Sequence, residues 1–216
     1  RSSIPMSAAQ LILSAALLCL CGIFSIFSLA IPSWTVSRSQ TYGLLRWCDT
    51  TSCYNWIATL RGWTGPCAST YHHLWYHTNN TVIACLCLCI AACTLGTLVC
   101  VRAAAAATTT TQALTQQPHP HPHPHPHHPK TRAGAGMRRL LLVGRGCATL
   151  ACVLCLLGCL LYWGVFAASP APCTHSGGHL GEGAATQLGY GFFLALVSHG
   201  VSLTAAMALW VVAPPR

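Results

Sequence analysis

Cysteine and histidine are the residues of this 216-residue chain with the chemistry to react or bind, 15 of the first and 12 of the second, whereas Asp49 and Glu182 are its only carboxylates. Chemistry that needs two side-chain carboxylates together, such as glycoside hydrolysis or a dimetal site, has almost nothing to work with. His119, His121, His123, His125, His127 and His128 alternate with proline between Pro118 and Pro129. Imidazole suits zinc, copper and nickel. Alternating proline removes backbone donors and favours an extended, solvated spacer, so weak or adventitious metal capture is the expectation for these six. Metal transport would also need polar ligands at membrane depth, and the long apolar runs of the chain offer only His199. Cys152-Val-Leu-Cys155 spells the C-x-x-C of thiol oxidoreductases. It falls in the middle of an apolar run, away from an end where a substrate thiol could arrive. Small, polarizable packing residues are the better reading of these cysteines. The expectation is therefore a protein that is not an enzyme and carries no cofactor.

The elements that must position these residues are apolar. Charged residues make up 6% of the chain and hydrophobic ones 53%, where a soluble chain carries roughly 25% charged residues. Four apolar runs fall at 8–31, 82–101, 146–167 and 188–212, none with Asp, Glu, Lys or Arg. Each reaches the roughly 20 residues that a helix needs to cross a bilayer. Backbone groups in hydrocarbon must bond internally, so the runs are expected to be helices. The third extends backward to Leu140, which would leave Arg145 about one turn inside and able to snorkel to the interface. Ser28-Leu29-Ala30 resembles a signal-peptide cleavage site, yet the first run is longer than the 7–15 residues typical of a signal core. The chain opens at Arg1 rather than Met, which leaves room for residues upstream.

With four spans both termini share a side. Arg1, Arg102, Lys130, Arg132, Arg138, Arg139, Arg145 and Arg216 then fall together, and Arg38, Arg46 and Arg61 fall opposite. That imbalance places both termini and the 102–145 loop in the cytosol. It also accounts for the net charge of +9 without nucleic acid as a partner. The expected fold is an all-α membrane protein, a four-transmembrane-helix bundle forming one domain over 1–216. Its outer loops span 32–81 and 168–187, and a small extracellular β-sheet is built from the first. Thr35-Val36-Ser37 and Tyr54 to Thr59 have strand-like composition. Gly22, Gly96, Gly158 and Gly200 permit close helix contact, inside the bundle or with a partner.

Compartment sorts the cysteines. Cys48, Cys53, Cys67 and Cys173 lie in the outer loops, where disulfides persist. Cys48 with Cys53 is the simplest pairing and would leave Cys67 with Cys173, although three connectivities exist. Asn79-Asn80-Thr81 makes Asn79 a candidate glycosylation acceptor, about three residues from the second run and so expected to stay unmodified.

On these residues the chain resembles a known superfamily. Gln10-Leu11, Gly22 and Pro32-Ser33-Trp34 are similar to claudins. Tyr42-Gly43-Leu44-Leu45-Arg46-Trp47-Cys48, followed by Cys53, resembles the W…G-L-W-x-x-C…C signature shared by the claudin, peripheral myelin protein and epithelial membrane protein families. Leu188 to Ala195, with Gly189 and Tyr190, resembles the G-Y-S-F-x-L-A-W pattern of the myelin branch. Lipoma fusion partner-like tetraspans are also similar, through Cys173. Here the signature Trp is displaced from position 45 to Trp47, and four residues separate the two cysteines where the superfamily usually has eight or more. The resemblance implies a plasma-membrane tetraspan of cell junctions, with Trp34 anchoring the loop at the wet interface. Gly43 would permit a tight turn and the disulfide would hold strand ends together. Expected partners are lipid and other tetraspan copies, in adhesion or a paracellular barrier. Arg38, Arg46 and Arg61 against Asp49 would make such a path favour anions. The alternative is an auxiliary or trafficking subunit of a channel or receptor.

Overall fold

A computed structural model of the chain describes residues 8–37, 40–48, 51–55, 66–115, 132–168 and 186–211. Four helices dominate it: α1 (Ala8–Ala30), α2 (Pro66–Thr115), α3 (Arg132–Ala168) and α4 (Tyr190–Val211). All four are long and apolar enough to cross a membrane, and the chain is a multi-pass membrane protein. Each helix turns one stripe inward and the rest outward. In α1, Leu11, Leu18 and Cys21 are buried while Ile12, Leu13, Ile26 and Phe27 are more than half exposed. An outward face of that kind is stable in hydrocarbon and not in water. α2 packs against both α1 and α3, and α4 closes the bundle against α1 and α3.

Two helices run well past the apolar stretches that announce them. α2 has 50 residues, about 75 Å at 1.5 Å per residue, and so overshoots a hydrocarbon layer of about 30 Å. By hydropathy the first outer loop ends at residue 81; the helix instead starts at Pro66. Proline suits a first helical position because the N–H it lacks would have had no partner there. At the other end, 102–115 is helix where a loop was expected. Alanine is the strongest helix former, and Ala103 and Ala104 join the same buried core as Leu141. Thr108 and Thr109 satisfy their hydroxyls on the Ala105 and Ala106 carbonyls behind them. α3 likewise begins at Arg132 and not at 146. Of the expected 102–145 loop, only 116–131 lies outside the described residues, and the whole His-Pro tract with it.

Five three-residue strands form one sheet: β1 (Thr35–Ser37), β2 (Gln40–Tyr42), β3 (Arg46–Cys48), β4 (Cys53–Asn55) and β5 (Thr186–Leu188). Their order is β4-β3-β2-β1-β5, antiparallel throughout. β1 was expected as a strand. β2 and β3 were not, and β5 was read as the end of a loop and the first residue of a span. Thr35 lies opposite Tyr42 on one side and Leu188 on the other, so both loops contribute to the sheet. Of the expected Tyr54–Thr59 strand, Tyr54 and Asn55 belong to β4 and 56–59 lie outside the described residues.

Arg145 reaches across to the C-terminal end of α4. It is 7% exposed; its Nε donates to the Leu209 carbonyl at 2.9 Å and its guanidinium lies 5.1 Å over the Trp210 ring. The last carbonyls of a helix have no partner within it, and a cation there also opposes the negative end of the helix dipole. Arg145 thus caps α4 from α3.

Candidate functional site

The sheet-bearing end of the bundle is organised by one side chain. Pro32 follows the last turn of α1 and sends the backbone into an extended path. Two residues on, Trp34 turns back beneath the sheet and is fully buried. Its Nε1 donates to the Ser28 carbonyl at 2.6 Å, and its ring meets Tyr162 edge-on at 4.7 Å and Phe192 at 6.0 Å. Edge-to-face pairs at such separations are favourable beyond the area they bury. The expectation of a half-wet interfacial indole is corrected: Trp34 is an interior key that joins α1, α3 and α4. An indole whose N–H already has a carbonyl partner has no need of water.

Two glycine positions make room for this arrangement. A Cβ at Gly191 would overlap the Trp34 ring, and one at Gly189 would overlap the Ser33 carbonyl. Backbone bonds run through the gap. Gly189 N–H donates to Trp34 O, and Gly191 N–H to Ser33 O, both at 2.8 Å. Gly43 is needed for the same reason and not for a special turn conformation: a Cβ there would lie 2.6 Å from Pro32 Cα and 2.9 Å from Ile31 O. Leu44 fills the space beside it and is 2% exposed. From α3, Tyr162 reaches the sheet through a 2.6 Å hydrogen bond between its hydroxyl and Thr35 Oγ1. Ser28 Oγ donates to the Gly191 carbonyl at 2.8 Å, which ties α1 to the first turn of α4.

Above this junction the β3–β4 hairpin is closed by a disulfide between Cys48 and Cys53, which face each other in register with Cα atoms 4.0 Å apart. In the hairpin Leu45 is 45% and Tyr54 41% exposed, and Arg46, on the face of the sheet opposite Tyr54, is exposed as well. Tyr42 is half-buried, and loss of solvent pushes its phenol above the ordinary tyrosine range.

Pro32, Trp34, Gly43, Leu44, Cys48, Cys53 and Gly189 therefore come together at one end of the molecule. Tyr190 does not join them, since its side chain is 78% exposed. Tyr162 also belongs to the junction and was not singled out from sequence, nor were Ser28, Gly191 and Phe192 assigned this role, although Gly191 and Phe192 fall in the family-like stretch Leu188 to Ala195. Only the closely spaced Gly189 and Gly191 hinted at a tight approach. Arg38, Asp49, Arg61 and Cys173 lie outside the described residues, as does the thiol of Cys67, and with them the second pairing. Asn79 sits within α2, 7% exposed, with its Oδ1 buried and without a hydrogen-bond partner. Cys152 and Cys155 are free thiols that face different groups: Cys152 lies 3.7 Å from His199 Nδ1, and Cys155 donates to the Ala195 carbonyl at 3.2 Å. Gly22, Gly96 and Gly158 pack against neighbouring helices, whereas Gly200 has nothing within 4 Å of a Cβ position. Compared with known proteins, the chain matches no family model and no curated protein.

Proposed function

We propose that this chain is a non-enzymatic four-pass protein of cell–cell contacts, related to the claudin, peripheral myelin protein and epithelial membrane protein superfamily, that meets its partner through the β3–β4 hairpin. The observation that carries the reading is the disulfide-closed hairpin at the edge of the sheet, joined through β2 and β1 to the Trp34 junction, with Leu45, Arg46 and Tyr54 exposed on it. A recognition surface gains when its aromatic and basic side chains are preorganised, because less freedom is lost on contact. The Cys48–Cys53 disulfide supports an oxidising compartment for the sheet. An even number of spans then returns both termini to the cytosol, in agreement with the excess of arginine there.

Non-adherent cells expressing the protein at their surface are the test. They are expected to aggregate through copies on apposed cells, and Leu45→Ser with Tyr54→Ser is expected to abolish aggregation at equal surface density. Absence of aggregation by the wild type, or undiminished aggregation by the double variant, would remove the adhesive reading. A second reading, an auxiliary subunit of a channel or receptor, is favoured by the open Gly200 on the outward face of α4, where another helix could approach closely. Stoichiometric recovery of a large membrane partner that is lost on Gly200→Leu would support it.

A further inference from the structure

Midway through the bundle three thiols meet. Cys21 of α1 and Cys89 and Cys93 of α2 are each at most 1% exposed, and their sulfur atoms all lie within 4.8 Å of one another. Cys93 donates to Cys21 at 3.3 Å. Cys89 and Cys93 are four residues apart, so one face of α2 presents both. Gly22 keeps α1 close at this level, its Cβ position being 3.6 Å from Cys93 Cβ. Two hydroxyls border the triangle. Ser198 Oγ of α4 lies 3.2 Å from Cys21 Sγ, and Ser25 Oγ lies 3.8 Å from Cys89 Sγ and 2.8 Å from Ser198 Oγ. A fourth thiol, Cys155, touches Cys89 from α3 but stands outside the triangle.

We propose that Cys21, Cys89 and Cys93 form a binding site for Cu(I), a soft monovalent cation. Three convergent sulfurs select a soft ion over magnesium, calcium or manganese, which prefer oxygen. Zinc is bound by four ligands in a tetrahedron, and a three-sulfur triangle suits Cu(I) better. Binding is proton exchange without electron transfer. Two thiols each lose a proton to solvent buffer, two copper–thiolate bonds form, and the third sulfur donates as a neutral thiol while copper stays at +1. The complex carries one negative charge. Ser25 and Ser198 lie within reach of the sulfurs; Ser198 Oγ donates to the Cys21 carbonyl at 2.9 Å, and a hydroxyl proton turned from such an acceptor toward a thiolate would offset part of the cost of burying the charge.

The whole chain, purified in detergent under anaerobic conditions, is loaded with Cu(I) against a chromophoric Cu(I) chelator, and the atoms around copper are read by X-ray absorption. The expected result is one tightly held equivalent surrounded by sulfur alone. The triple variant Cys21→Ser/Cys89→Ser/Cys93→Ser is expected to lose that equivalent, and Cys19→Ser/Cys87→Ser, which alters exposed thiols, to keep it. Copper bound mainly through nitrogen points to the histidines and overturns the proposal. So does a sulfur-bound equivalent that survives the triple variant. Should the triple variant fail to fold, the single replacements serve. Each is expected to lower the number of sulfurs around copper from three to two, and an unchanged count in all three overturns the site.

Discussion

The sheet-bearing end and the middle of the bundle are packed on opposite principles. At the sheet a few large side chains with directional bonds set the geometry: Trp34, Tyr162 and Phe192 interlock, and glycine supplies the clearance. In the middle, small residues such as Cys21, Ser25, Cys89, Ala195 and Ser198 pack in number, linked by short contacts among thiols and hydroxyls. Large keys make a region brittle. Many small contacts make it tolerant, because each replacement removes little volume.

That difference can be broken or sharpened by substitution, with thermal or denaturant unfolding in detergent as the readout. Trp34→Ala should have the largest effect, a loss of about 3–5 kcal/mol as for other buried aromatics; a loss under about 1 kcal/mol would mean that the indole is not the key. Gly191→Ala comes next, at about 1–3 kcal/mol, because its methyl group must displace the Trp34 ring. The matched change Gly200→Ala should leave stability unchanged, and equal costs at the two glycines would contradict the packing described. Opening the disulfide with Cys48→Ser/Cys53→Ser closes so short a loop in reverse that about 2 kcal/mol is the most expected. Its effect should be confined to protease sensitivity of the hairpin, with the helices intact. Tyr162→Phe removes the bond to Thr35 and should cost about 1 kcal/mol, most of it recovered as coupling in a double-mutant cycle with Thr35→Val. Smallest is Ser14→Ala in the bundle. Ser14 Oγ is buried with no hydrogen-bond partner, so the change should be neutral or stabilising by up to about 1 kcal/mol.

Much of the architecture was legible in the sequence because hydrocarbon is an exacting solvent. Four charge-free runs announce four helices, and the spacing of Cys48 and Cys53 announces a closed loop. What was not legible depends on distant partners or on weak local signals. β5 is a strand because Thr186–Leu188 finds β1 from the far end of the chain; no local pattern marks it. The ends of α2 were missed because hydropathy stops where the apolar run stops, whereas helix propensity carries on through the Ala/Thr tract. That Arg145 caps another helix was not legible because its acceptor, the Leu209 carbonyl, is 64 residues away. Trp34 was assigned to the right region for an incomplete reason. An aromatic residue at the end of a span looks the same in sequence whether it faces headgroups or the underside of a sheet.

Acceptor-site mapping of the two faces tests the central claim, that the disulfide-closed sheet faces outward on four membrane-crossing helices, most directly. Asp49→Asn turns residues 49–51 into an N-x-T acceptor within the β3–β4 hairpin, and a second acceptor is appended at the N-terminus. Modification of the hairpin but not of the N-terminal acceptor, removable by endoglycosidase, is the result expected. A glycan on the N-terminus with a bare hairpin would put the sheet on the cytosolic side and contradict the account.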